Sequence, residues 1–198
     1  SNNISNANTP GYVRAQVNLA PASGLGGVQI ASIKRAADQF LTTASYIASA
    51  AQSSASARAD LLSRAQSSFG DPTDSASLFS TLDSFWSALT SLGVDPSSTL
   101  RRNDAISQLQ STYSEVQRIG QNLQDLVAEA DQRVADNVHQ AQDLINRIAS
   151  LNSEIRLSKN TGADSTASEN AQSALVDQLS KLMDVRTSQQ DDGSIQVR

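Results

Sequence analysis

Large apolar side chains fall along this chain at helical intervals, separated by small and polar residues. From Val28 onward, Ile33, Ala37, Phe40, Ala44, Ile47 and Ala51 recur at alternating steps of four and three, one helix face alternating large and small groups. The pattern weakens over Gln52 to Ala57 and resumes at Leu62, Ala65 and Phe69. That predicts one long helix with a soft middle, stopped by Gly70, Asp71 and Pro72. A second helix is predicted from about Thr73 to Leu92, with Leu78, Leu82, Phe85, Leu89 and Leu92 on one face and Phe79 and Trp86 widening it. Gly93 is its stop signal, and Asp95-Pro96 supplies a turn before the next element.

The third segment carries the strongest signal. Ile106, Leu109, Tyr113, Val116, Ile119, Leu123, Val127, Ala130, Val134, Val138, Ala141, Ile145, Ile148, Leu151 and Ile155 stand on average 3.5 residues apart, the period of coiled coils. One helix over 97–158 would rise about 90 Å. Its stripe, Val134 included, is expected to be core shared with the other helices. Lys159 to Ser168 then reads as a flexible connection, and Ala171, Ala174, Leu175, Leu179 and Leu182 as a shorter fourth helix. After it the period switches to two: Met183, Val185 and Thr187, then Asp191-Asp192-Gly193, then Ile195 and Val197, the signature of a β-hairpin. A lone hairpin is marginal in water, so the expectation is a chain cut at the threshold of a β domain.

The first 27 residues differ in kind. Asn2, Asn3, Asn6, Asn8, Pro10, Gly11, Pro21, Gly24, Gly26 and Gly27 are too dense in turn formers for a regular element, so an irregular arm is expected. The fold class read from these patterns is all-α: an elongated helical bundle with one very long coiled-coil-like helix, an irregular N-terminal arm and a truncated C-terminal hairpin. The expected divisions are 1–27 for the arm, 28–183 for the bundle and 184–198 for the start of the β domain.

Composition narrows the chemistry. Ser and Ala supply 59 of the 198 residues, so large apolar groups must be concentrated on narrow stripes and a thick-cored enzyme domain is not expected. A net charge of −5 with scattered basic residues disfavours nucleic acid and anionic membrane surfaces. The absence of cysteine removes thiolate sites, and the single His139 removes multi-histidine metal clusters. Neither a membrane span nor a basic segment followed by an apolar stretch is legible. His139 beside Val138 reads as a helix flank, and Glu129, Asp131, Asp136 and Asp143 as solvated charges. Gly24 to Gly27 reads as a hinge, because no Lys-Ser/Thr follows to make a phosphate loop. No catalytic, cofactor or metal residues are expected.

One constellation remains: Asn3-Ile4-Ser5-Asn6-Ala7-Asn8-Thr9-Pro10-Gly11-Tyr12-Val13-Arg14. Pro10 and Gly11 suit the second and third positions of a type II turn, and Asn side chains cap nearby backbone. In its ordered Asn pair, third Asn, Thr-Pro-Gly-Tyr and basic residue, it closely resembles the signature of bacterial flagellar rod, hook and hook-associated proteins. Gly26-Gly27-Val28-Gln29-Ile30 through Arg35, Asp38 and Phe40-Leu41, then Phe85-Trp86 before Pro96, Arg101 and Arg102, then Ile145-Asn146, Leu151-Asn152 and Ile155, and finally Val176-Asp177-Gln178, resemble the hook-associated protein 1 family of hook-filament junction proteins. Ser5 stands where that family usually has Ala, and the Arg-Asp pair expected after Gln178 is missing.

The resemblance implies a non-enzymatic structural adaptor joining hook to filament, lying outside the cell on the flagellum. It implies export by the flagellar type III system without a cleaved signal peptide. It also implies as partners the hook protein, the second junction protein (hook-associated protein 3), copies of itself in a ring, and an export chaperone acting through a C-terminal region absent here. The subunit-packing residues it implies are Asn3, Asn6, Asn8, Thr9, Pro10, Gly11, Tyr12 and Arg14, and the isolated chain is expected to be monomeric in dilute solution. The competing reading of the 3.5 period alone, a cytoplasmic coiled-coil signalling or scaffold module, leaves this arm without a purpose.

Overall fold

The computed structural model describes residues 2–5, 13–21, 28–35 and 39–198. The elements run α1 (Asn2–Ser5), β1 (Ala15–Pro21), β2 (Val28–Arg35), α2 (Gln39–Ser67), α3 (Leu78–Val94), α4 (Thr99–Thr161), α5 (Thr166–Ser180), β3 (Thr187–Gln189) and β4 (Ile195–Val197). They form two compact units, one of Ser1–Ala55 with Asp136–Arg198 and one of Ser56–Ala135, with α2 and α4 contributing to both.

In the first unit the core is built from Tyr46 of α2, Ala141, Leu144 and Ile148 of α4, Leu175, Val176 and Leu179 of α5, and Val185 just before β3. Leu151, Leu182, Ile195 and Val197 pack against it. Burying each of the larger side chains stabilises the fold by about 1.5–3 kcal/mol relative to exposure. The Tyr46 hydroxyl, carried into this apolar setting, donates to the Ser173 carbonyl at 3.4 Å. On α2 the expected face of Phe40, Ala44, Ile47 and Ala51 lies outward instead, and Tyr46 is the buried residue. The ring needs a deep apolar site and its hydroxyl a partner, and α5 offers both.

A second correction falls on the N-terminal side. The helix expected from Val28 begins at Gln39, and Val28–Arg35 is a strand. It pairs antiparallel with β1, from Ala15 opposite Arg35 to Pro21 opposite Val28, with an irregularity at Asn18 and Leu19. Part of the expected irregular arm is therefore a strand. Val28, Ile30 and Ile33 are β-branched, and so short a span fits a strand as readily as a helix, so the partner strand decides. The C-terminal hairpin is as expected: Thr187 pairs with Val197 and Gln189 with Ile195 around a turn in which Gly193 has φ of 80°.

In the second unit, α2 ends where expected. Gly70 adopts φ of 77°, and a Cβ there would stand 3.0 Å from that of Ser77. Only glycine meets both conditions. Helix α3 begins at Leu78 instead of Thr73 because Asp71 and Asp74 turn the chain first, their carboxylates accepting from the Thr73 and Ala76 N–H groups at 2.8 and 2.9 Å. Buried Ser77 then caps the helix, accepting from the Ser80 N–H at 3.2 Å.

Helices α3 and α4 run antiparallel, as two cross-links show: Arg101 donates to the Ser91 carbonyl at 2.7 Å and the Thr112 hydroxyl to the Thr81 carbonyl at 3.3 Å. Helix α4 keeps the predicted period, but only part of the predicted face is buried. Ile119, Ala141, Ile148 and Ile155 are buried, whereas Ile106, Leu109, Tyr113, Val116, Val127, Val134, Val138 and Ile145 are exposed, Val134 at 62 %. Val134 is not core, and every residue from 131 to 140 faces outward. Where α4 meets α3, Ala105, Thr112 and Ala88 are buried and Gln108, Thr81 and Phe85 half-buried, with Thr112 bonded to Thr81. Small side chains fill this row, and the larger residues beside them are displaced to the flank.

Candidate functional site

Of the signature residues, Asn3 lies half-buried in α1 and Arg14 is exposed immediately before β1. Asn6, Asn8, Thr9, Pro10, Gly11 and Tyr12 lie outside the described residues. The strand that follows the signature is tied to the helical core, because the Val13 N–H donates to Asn170 Oδ1 on α5 at 3.4 Å.

The second candidate is an apolar face that the sequence concealed by suggesting that it was core. On α3, Phe79, Leu82, Trp86 and Leu89 each follow by one residue a member of the row turned toward α4, namely Leu78, Thr81, Phe85 and Ala88. On α4, Ile106, Leu109, Tyr113 and Val116 each follow Ala105, Gln108, Thr112 and Glu115 in the same way. One residue is about 100° of turn, and in antiparallel neighbours the same rotation brings both exposed rows to one side. Eight large apolar side chains thus share a face, with Trp86 72 % and Tyr113 62 % exposed. Gly120 continues the row, and a Cβ there would meet nothing within 4 Å. A contiguous patch of this kind marks an interaction surface. The available signal was the width of the aromatic stripe on α3, broader than one helix contact can cover.

A third feature is a clamp on the C-terminal hairpin. Arg186 and Arg198 exchange both backbone hydrogen bonds at 2.8 Å, and Gln190 donates to Ser194 at 2.9 Å. By the alternation of an antiparallel ladder, the N–H and carbonyl of Ile195 point away from β3. Asn152 of α4 satisfies both: its Oδ1 accepts from the Ile195 N–H at 2.8 Å and its Nδ2 donates to the Ile195 carbonyl at 2.9 Å. Buried Gln172 of α5 donates to the same Oδ1 at 2.7 Å. One amide side chain therefore stands where a third strand would, and it closes that sheet edge. Lys159 pairs with buried Glu169 at 3.1 Å, and its stem crosses Gly193, locating the turn. The sequence marked Asn152 only by likeness; its position beside Leu151 on a buried stripe was the physical cue.

His139 sits in the exposed stretch of α4, as expected for a helix flank. Glu129 is not a free solvated charge. It takes both guanidinium nitrogens of Arg64 and is paired with Arg133 at 3.3 Å, while Arg133 also reaches Asp60 at 3.0 Å. The hydrogen bond from Arg64 holds the Glu129 carboxyl below its ordinary value. At the hairpin turn, the Ser194 hydroxyl and N–H do the same for Asp192. Among the described residues no group of three His, Cys, Asp or Glu is placed to hold a metal ion, and no helix is long and apolar enough to cross a membrane.

Comparison with known proteins gives a consistent answer. A family model described as the flagellar hook-associated protein FlgK helical domain matches residues 62–198. Flagellar hook-associated protein 1 of Salmonella typhimurium is 29 % identical over 98 % of this chain and 36 % of its own length. The Escherichia coli protein of that name is 27 % identical over 100 % of the chain and 38 % of its length, and the Bacillus subtilis one 25 % identical over 95 % and 40 %. This chain thus spans well under half the length of those relatives. No solved structure matches. With more than half its residues matched and the apolar period, turn signals and hairpin all in place, the chain belongs to the family of the flagellar hook-associated protein FlgK helical domain.

Proposed function

We propose that this chain is part of a structural subunit of the bacterial flagellum, an adaptor that joins the hook to the filament after export by the flagellar type III route. The observation that carries the reading is the helical-domain match over residues 62–198 on a chain whose arm holds the axial-protein signature. The family is a flagellar one, and the role assigned to the chain is mechanical, with no catalysis. Its partners in this reading are the hook protein, the second junction protein, further copies of itself, and an export chaperone.

In the same reading, Asn3, Asn6, Asn8, Thr9, Pro10, Gly11, Tyr12 and Arg14 pack against neighbouring subunits. Tyr12 and Arg14 supply an aromatic ring and a guanidinium, side chains that serve as anchors at protein interfaces. The test is a triple replacement, Pro10→Ala, Gly11→Ala and Tyr12→Ala, in the full-length protein. The helical units should keep their melting behaviour, while hooks form, filaments attach poorly and flagellin is lost to the medium. Normal filament attachment and swimming in a strain carrying the triple variant would remove the arm from the mechanism.

A further inference from the structure

Helix α4 is 63 residues long, and packing holds it unevenly. We propose that it carries a yielding segment over residues 131–140, where the helix breaks and re-forms while the packed turns on either side stay closed. Every side chain from 131 to 140 is exposed, Val134 and Val138 at 62 % each. Packing returns at Ala141, Leu144 and Ile148 in the core of the first unit. On the other side Leu123, Leu126 and Ala130 are half-buried.

Three observations converge on this segment. Most helical stability in a protein comes from burying one face, so turns that bury nothing are left with their own propensity. Propensity here is low. Asp131, Val134, Asp136, Asn137, Val138 and His139, six of the ten residues, rank below alanine by up to about three-fold each in the helix equilibrium. The third observation concerns α2, whose residues 54–60 are exposed as well. Arg133 reaches Asp60 at 3.0 Å and Glu129 at 3.3 Å, but the three side chains are between 40 and 49 % exposed, and ion pairs so open to water contribute little. Because Arg133 secures the first turn, the opening is centred on 134–140. Poor propensity and a lack of buried apolar side chains together mark a stretch that opens at low free energy.

A disturbance that loosens the turns on one side therefore ends in this segment instead of running the length of the helix. The segment is a property of the chain itself, and it does not depend on the junction role.

Amide hydrogen exchange on the 198-residue chain tests it, each rate being taken relative to that of the unstructured sequence. Residues 134–140 should exchange at least about ten-fold faster than residues 144–155, because a helical amide exchanges only when its turn opens. Replacing Val134→Ala, Asn137→Ala and Val138→Ala together should slow exchange at 134–140 by about 5- to 30-fold and leave 144–155 unchanged. Ala135→Gly should act in the opposite sense, quickening the same amides by about 4- to 6-fold, with helix content by circular dichroism retained. Exchange at 134–140 as slow as at 144–155 overturns the proposal. So does a triple variant that leaves 134–140 within about two-fold of the parent, or one that slows both stretches alike, which would mean that α4 opens as one cooperative unit.

Discussion

Replacing Asn152 with alanine isolates the contribution of a single amide to the C-terminal hairpin. A two-stranded hairpin is marginal by itself, and this one is held by the packing of Val185, Ile195 and Val197 and by Asn152, which takes both outward groups of Ile195. Alanine leaves the half-buried Ile195 groups to water, a loss of about 0.5–1.5 kcal/mol for each bond. It also strands the amide of Gln172, which is 4 % exposed, and an unsatisfied buried donor costs about 1–3 kcal/mol. The whole comes to roughly 2–6 kcal/mol, so that even its lower end is about a 30-fold rise in the opening equilibrium of the hairpin. Amide hydrogen exchange reads it directly at Arg186, Gln190 and Arg198, whose N–H groups are bonded across the hairpin. Asn152→Asp separates the roles, since it keeps the acceptor but sets a carboxylate against the Ile195 carbonyl, and it should also loosen the strands. Exchange within about three-fold of the parent in Asn152→Ala, well short of the expected rise, would show that packing alone holds the hairpin.

Three further outcomes follow from burial and charge. Leu144→Ala, at a side chain 1 % exposed in the core of the first unit, should cost about 2–5 kcal/mol, whereas Val134→Asp on the outward side of α4 should stay within about 1 kcal/mol; thermal melts followed by circular dichroism compare them. Glu129 titrates below its ordinary value when folded, so its contribution to the α2–α4 contact is complete above the unfolded pKa and lost as pH falls through the folded one. Exchange at residues 60–67 should therefore quicken on acidification below the usual carboxylate range, and Glu129→Gln should remove that portion of the pH dependence. Gly70→Ala forces a side chain into a left-handed backbone against Ser77 and should destabilise by about 1–2 kcal/mol, seen as a lower midpoint in urea.

Local chemistry determined where the elements stop. Gly70, the turn at Asp95-Pro96, Gly162 and the Asp191-Asp192-Gly193 turn act on their own few residues, through φ preferences and side-chain caps that no distant contact has to supply. The long period of α4 was equally legible, because a repeat sustained over many turns cannot be mistaken for a strand. The clamp was out of reach of such reasoning, for the bonds of Asn152 depend on Ile195, 43 residues away in sequence. So was the strand Val28–Arg35, whose short apolar run took its conformation from a partner strand. Above all, tertiary structure chose between two adjacent rows on α3 and α4. The sequence favoured the larger side chains at Leu82, Leu89, Ile106, Leu109, Tyr113 and Val116 as core, yet the helices meet along Thr81, Ala88, Ala105 and Thr112. Hydrophobicity ranks residues one at a time, whereas the row that two helices turn toward each other is decided by how both surfaces pack together, and here the small side chains hold it.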